Sequence, residues 1–305
     1  MSDDFTPFNR AVFIGIGLIG SSLARVMRRD GLAREIIAVA RRQETLDTVR
    51  RLALADETLS DPAAAVAGAD LVIIGTPLGA YEAIGRAIAP ALAPGAIVTD
   101  VGSTKQSAMR DLGRHLPGHV HFVPGHPLAG TEHSGPESGF ETLFEGRWCI
   151  LTPDPATDRT AVRRISDLWQ RAGMMVEEMS AAHHDVVLAI TSHLPHLIAY
   201  TIVGTADDLE EHTKSEVIKF AASGFRDFTR IAASDPVMWR DIFLNNREAV
   251  LDILGRFSED LSVLQRAIRD GNGALLEETF RRTREIRRGV VAAKQDVPPR
   301  PVKNA

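Results

Sequence analysis

The segment Ala11-Val-Phe-Ile-Gly15-Ile-Gly17-Leu18-Ile19-Gly20-Ser-Ser-Leu-Ala24 is a short apolar run that breaks into three glycines spaced GxGxxG and continues with helical periodicity. A strand that enters a helix through this turn restricts the fold more than any other feature of the chain. Gly15 permits the tight turn, Gly17 lets the backbone approach a pyrophosphate, and Gly20 lets the helix pack on the strand. The helix start turns unpaired N–H groups toward the phosphates. Gly15, Gly17, Leu18, Ile19 and Gly20 are therefore candidate cofactor contacts, with a glycine-rich turn lacking any ligand as the alternative.

Further apolar runs follow at Ile36–Val39, Leu71–Ile74, Ala96–Thr99, Val120–Val123, Trp148–Leu151 and Met174–Glu177, separated mostly by helical patterns. Continuous rather than alternating hydrophobicity predicts an α/β fold, a Rossmann-type doubly wound and mainly parallel sheet covered on both faces. Beyond about Ser180 the strand signals fade, and long helical patterns at Asp235–Arg269 and Gly273–Lys294 predict an all-helical domain. The expected division is a tail over 1–9, a dinucleotide-binding domain over 10–179, a helical substrate and dimerisation domain over 180–294, and a disordered Pro-rich tail over 295–305. Helices this long in so small a domain leave apolar stripes to cover, which predicts a homodimer.

With 305 residues, 44% of them hydrophobic and 25% charged, the chain has the composition of a two-domain globular protein. No apolar run approaches the roughly 20 residues that span a bilayer, so no membrane partner is expected. MSDDFTPFNR has acids where an export signal carries positive charge, which predicts a cytoplasmic protein. The single Cys149 excludes an internal disulfide and reads as a small buried hydrophobe. A net charge of -5 with dispersed arginines argues against nucleic acid, leaving small molecules as partners.

The second strand ends Ile36-Ile-Ala-Val-Ala40 and is followed by Arg41-Arg42, where NAD-binding domains usually place an acid for the ribose hydroxyl. A guanidinium there pairs with a 2′-phosphate, so Arg41 and Arg42 favour NADP, with NAD held by backbone contacts as the alternative. Ligands of open α/β sheets lie beyond the carboxyl ends of the strands, which adds Thr76 and Pro77 to the cofactor contacts. The same rule selects Ser103 and His126. His126, between glycine and proline at a strand tip, has an ordinary pKa suited to proton abstraction; Ser103 either orients it or caps the helix near Lys105. His193 and His196 stand three apart, without the accompanying ligands of a metal site, and read as hydrogen-bonding groups beside a substrate. Arg230, set among apolar residues, is expected to be buried and to hold a carboxylate.

Together GIGLIG, DVGSTK, GHPLAGTE, SHLPH and GFRDFTRIAASDPVMW resemble the prephenate and arogenate (cyclohexadienyl) dehydrogenases of tyrosine biosynthesis, over about Arg10 to Arg288. The resemblance implies an NAD(P)-dependent oxidative decarboxylation in which hydride leaves ring carbon C4, the ring carboxylate departs as CO2, and the ring becomes aromatic. It implies His126 as acceptor of the C4 hydroxyl proton, Ser103 as its orienting partner, and Arg230 as carboxylate anchor. His196, Ser234 and Trp239 are the implied pocket neighbours, joined by His193, Thr131 and Glu132, with Glu132 and Asp227 as ion-pair partners for the arginines.

Two rival classes are a β-hydroxyacid dehydrogenase and a non-catalytic dinucleotide sensor. The first resembles a Lys followed three residues later by Asn, whereas Lys214 and Lys219 are followed at that distance by Val217 and Ala222. The second has no need of His126, Ser103 and Arg230.

Overall fold

The structure, a computed structural model, describes residues 5–208 and 223–292. Eight strands form one sheet: β1 (Phe8–Ile14), β2 (Ala33–Val39), β3 (Glu57–Leu59), β4 (Leu71–Ile74), β5 (Ile97–Asp100), β6 (His121–Pro127), β7 (Trp148–Leu151) and β8 (Met175–Glu178). Their order is β3-β2-β1-β4-β5-β6-β7-β8. The first six are parallel, in the doubly wound arrangement the glycine turn predicts. β7 runs antiparallel to β6 and parallel to β8. The sheet starts at Phe8, two residues before the expected domain start, and includes β3, a short and partly exposed edge strand with no apolar run to announce it.

Six helices cover the sheet: α1 (Leu18–Arg29), α2 (Gln43–Arg51), α3 (Pro62–Val66), α4 (Tyr81–Ile88), α5 (Lys105–Asp111) and α6 (Arg159–Arg171). Alternate residues of the central strands feed two cores. Phe13 and Ile73 pack with Leu23 and Met27 of α1 and Trp169 of α6. Val12 and Val72 pack on the other face with Val66, Tyr81 and Leu112. Burial on both faces explains the continuous apolar runs.

After β8 the chain is helical. α7 (Ala181–Leu188), a π-turn (Ala189–His193) and α8 (Leu194–Asp207) form one continuous stretch. Pro195 has no N–H to give the carbonyl of Thr191, and the turn widens ahead of it. The reading that no apolar run suits a bilayer needs correction here, because the continuous helical stretch Ala181–Asp207, 27 residues long, contains an 18-residue window of mean hydropathy 1.6 and passes that test by length and composition. The stretch nevertheless carries the buried polar residues His184, Asp185 and His193. α9 (Ser223–Thr229), a 3₁₀ turn (Arg230–Ala233) and α10 (Pro236–Asn245) follow, and Trp239 and Ile242 of α10 join the second core.

Residues up to Arg247 make one compact unit, and those from Glu248 make another. The expected single helix over Asp235–Arg269 is two helices, α10 and α11 (Arg247–Arg269), broken at Asn246, whose backbone leaves the helical region at ψ 30°. α12 (Gly273–Ala292) completes the second unit. Leu261, Ile268 and Phe280 on these last two helices are more than half exposed. The tail expected over 295–305 lies outside the described residues.

Gly15 has φ +87°, and a Cβ on it would come within 2.8 Å of the Gly75 carbonyl carbon. Gly75 reciprocates, since its Cβ would lie 2.6 Å from the Gly15 carbonyl oxygen. Gly15→Ala therefore forces a side chain into a left-handed, overpacked position, and chemical denaturation should show a loss of about 2 kcal/mol.

Candidate active site

The glycine turn is preorganised for an anion. Gly17 is the N-cap of α1, no side chain caps the helix, and its first turn holds no acid. The N–H groups at the helix start are thus left for a ligand. A Cβ on Gly17 would meet nothing within 4 Å, so the glycine opens the space a pyrophosphate needs. Gly20 packs α1 against the turn, where a Cβ would lie 3.1 Å from the Gly15 carbonyl. Thr76, just beyond β4, holds its Oγ1 buried without a partner, and Pro77 follows it on the surface. This uncapped helix start and orphaned hydroxyl fit a dinucleotide, which Gly15, Gly17, Leu18, Ile19, Gly20 and Thr76 would hold. Arg41 and Arg42 are exposed beyond β2, and Arg42 is the N-cap of α2 without a side-chain cap bond.

His126 is positioned by a buried ion pair. Lys105 Nζ lies 2.6 Å from Asp100 Oδ2, with both side chains fully buried. The same ammonium donates to the Gly125 carbonyl at 2.6 Å, while Gly125 N–H donates to Asp100 Oδ1 at 3.2 Å. Tyr81 Oη and Gly102 N–H also donate to Asp100 Oδ2, at 2.8 and 2.9 Å. Both polar groups of Gly125 are thereby fixed, one residue before His126. Burial pulls the Lys105 ammonium below its ordinary pKa, opposed by Asp100; burial pushes the Tyr81 hydroxyl well above its own.

His126 itself is 9% exposed. Its Nδ1 meets His184 Nε2 at 2.9 Å, and His184 Nδ1 meets Asp185 Oδ1 at 2.8 Å. Burial, reinforced by His184, Lys105 and His193, holds His126 well below its ordinary pKa of 6.5. Asp185 also accepts the backbone N–H groups of Lys105 and Gln106, at 2.8 and 3.0 Å. Burial works to raise its pKa, but His184 and these two N–H groups outweigh it, leaving a carboxylate below its usual range.

The capping expected of Ser103 is thus a correction. Thr104 occupies the N-cap position of α5, and the carboxylate that caps the helix comes from Asp185 on α7. Ser103 is half-buried, and its hydroxyl has no partner among the described residues.

Two histidines meet Trp239. His196 stacks on the indole, with centroids 3.7 Å apart, and His193 sits edge-on at 6.0 Å. His196 Nδ1 donates to the Ser192 carbonyl at 2.8 Å. His193 is 1% exposed, and burial lowers its pKa to about 4. Asn246 Nδ2 donates to His193 Nδ1 at 3.0 Å and to the Asp185 carbonyl at 2.7 Å. The Ser234 carbonyl accepts from Tyr200 Oη at 2.9 Å.

Arg230 is not buried as expected. Its side chain, at the start of a short 3₁₀ turn with no buried residue, is 58% exposed and donates to Glu132 at 3.0 Å. Thr131 beside Glu132 is exposed and uses its Oγ1 to accept the His133 N–H. Sequence reasoning passed over His184, Asp185 and Asn246. The available signal was His183-His184-Asp185, a polar triplet inside an apolar helical run.

A doubly wound sheet whose glycine turn is built for a dinucleotide, with a buried neutral imidazole at the carboxyl end of another strand of the same sheet, defines a dinucleotide-dependent oxidoreductase. The chain belongs to the prephenate dehydrogenase family: residues 23–178 match that family's nucleotide-binding domain and residues 180–282 its dimerization domain. It is 41% identical to the cyclohexadienyl dehydrogenase of Zymomonas mobilis over 92% of this chain and 96% of that one. It is 33% identical to the prephenate dehydrogenase of Bacillus subtilis, over 90% of this chain and 74% of the relative. Among solved structures, prephenate dehydrogenase of Aquifex aeolicus in complex with hydroxyphenyl propionate and NAD+ superposes with a TM-score of 0.85 at 34% identity, covering 94% of this chain and 99% of that one.

The clamp on Gly125 is testable by a double-mutant cycle. Lys105→Met leaves Asp100 charged and buried, and Asp100→Asn leaves the ammonium likewise; each should cost about 3–5 kcal/mol by denaturation. The combined variant should cost clearly less than the two added together, since it strands no charge.

Proposed function

We propose that this enzyme carries out oxidative decarboxylation of a cyclohexadienyl acid, prephenate or arogenate, to the corresponding 4-hydroxyphenyl product in tyrosine biosynthesis. The observation that carries the reading is the burial that keeps His126 neutral at the tip of β6, so that it accepts a proton at neutral pH. A nicotinamide dinucleotide, when bound at the glycine turn, would supply the hydride acceptor for C4. His126 takes the proton of the C4 hydroxyl as that carbon gains carbonyl character. The C1–carboxylate bond then breaks, its electrons complete the aromatic ring, and CO2 leaves. Ser103, with its hydroxyl unengaged, orients the reacting hydroxyl. Arg230 receives a substrate carboxylate, with Glu132 holding its guanidinium beforehand. His196 and Trp239 form an aromatic wall, and His193, Ser234 and Thr131 complete the pocket.

His126→Asn should lower kcat by at least about 100-fold while dinucleotide affinity, measured by fluorescence titration, stays within twofold. The pH profile has a definite sign. A base with a lowered pKa is active above that value and lost as pH falls through it, so kcat/KM should remain level through pH 6.5 and decline only below it. A limb at or above 6.5 in the free enzyme would contradict the assignment.

For the cofactor, we infer that Arg41 and Arg42 make NADP the preferred partner, because β2 is followed by two exposed guanidinium groups and no acid. Rates for prephenate and arogenate with each of NAD and NADP decide the matter. Arg41→Ala with Arg42→Ala should lower kcat/KM for NADP at least about tenfold and leave NAD nearly unchanged. A wild-type preference for NAD overturns the inference. The exposed apolar residues of α11 and α12, with the matched dimerization domain, support a homodimer.

A further inference from the structure

We infer that His184 and Asp185 are positioning residues that set the tautomer of His126, leaving its Nε2 as the bare acceptor that faces the substrate hydroxyl. The inference rests on the proposed role of His126 and deepens it.

One chain of hydrogen bonds runs from His126 through His184 to Asp185. Asp185 accepts two backbone N–H groups, from Lys105 and Gln106, so it is a carboxylate and an acceptor only. His184 Nδ1, 2.8 Å from Asp185 Oδ1, must then carry a proton and donate it. His184 is fully buried and lowered in pKa by that burial, against the pull of Asp185, so it carries a single proton. Its Nε2 therefore presents a lone pair. His126 Nδ1, 2.9 Å away, has to be the donor of that contact. One proton remains on a neutral His126, it is on Nδ1, and Nε2 is left with its lone pair. Nε2 makes no hydrogen bond to any described residue.

An imidazole free in water favours the opposite tautomer, with the proton on Nε2, where it could not accept from a hydroxyl. The relay reverses that preference in the ground state. It also gives the imidazolium that forms on proton transfer a neutral acceptor, with a carboxylate behind it. His184 and Asp185 are both fully buried, with no surface to offer a ligand, so their effect passes through His126. Asp185 has a second duty as the cap of α5, which makes His184 the cleaner place to cut the relay.

The test combines nitrogen-15 NMR of histidine-labelled protein with kinetics, using His126→Asn to assign the His126 signals. Wild-type protein at neutral pH should show His126 with Nδ1 protonated and Nε2 bare. His184→Phe fills the same space without an acceptor. It should shift His126 toward the Nε2–H tautomer and lower kcat about 10- to 100-fold, with KM and dinucleotide affinity within twofold. His184→Gln offers an amide oxygen to His126 Nδ1–H, and should keep the wild-type tautomer and recover most of the lost kcat.

An Nε2–H tautomer in the wild type overturns the inference, as does a folded His184→Phe enzyme with full turnover, or a His184→Gln enzyme no better than it. If His184→Phe does not fold, the wild-type tautomer and the His184→Gln rate decide. The tautomer is read without substrate. Absence of turnover on prephenate and arogenate, with Nδ1 protonated, therefore defeats the proposed reaction and leaves the positioning of His126 standing.

Discussion

The buried pair between Lys105 and Asp100 is the interaction on which the rest of the site depends. Taking two charges out of water costs more than their mutual attraction returns unless every remaining lone pair and proton is satisfied. Here the carboxylate accepts from Tyr81, Gly102, Gly125 and Lys105, and the ammonium also reaches the Gly125 carbonyl. The pair thus joins the ends of β5 and β6 where β6 stops pairing with β5 and begins pairing antiparallel with β7. Glycines are needed around it for want of space: a Cβ on Gly102 would lie 2.5 Å from Tyr81 Oη.

The helical segment after β8 is tied to this centre by polar contacts as well as by packing. Asp185 caps α5 and Asn246 joins the Asp185 carbonyl to His193, so two residues connect three helical elements. The widened turn before Pro195 and the break at Asn246 are departures from regular helix, and each sends a polar group into the site. A regular helix through Asn246 would turn that amide with the helical period instead of leaving it at a helix end. Regularity is given up at the candidate site.

What was legible in the sequence was local. The glycine turn, the strands buried on two faces and the position of His126 at a strand tip all follow from residues a few places apart, and the structure has them where the pattern puts them. What was hidden depends on pairs far apart along the chain. Ser103 next to a helix start reads as a cap, but Asp185, 80 residues beyond Lys105, takes that duty. His184 looks like an ordinary helical residue until β6 brings His126 against it, 58 residues away. Arg230 was misjudged because its apolar neighbours in sequence, Ile231 and the alanines, lie in a 3₁₀ turn too short to bury it.

Charge balance explains how the base proposed in His126 can be buried this deeply. Among the groups linked to His126, Lys105 contributes one positive charge, and Asp100 and Asp185 one negative charge each. The start of α5 spreads partial positive charge over Asp185 through two backbone N–H groups. Before reaction the cluster therefore carries close to one net negative charge, partly offset by the helix, and burial keeps His126 neutral. In the proposed step, in which His126 takes a proton, the new charge would complete the balance instead of adding an unpaired cation to a dry interior. Lys105 works against that step and Asp185 works for it through His184. The arrangement holds because Asp100 engages the ammonium at 2.6 Å and limits its reach.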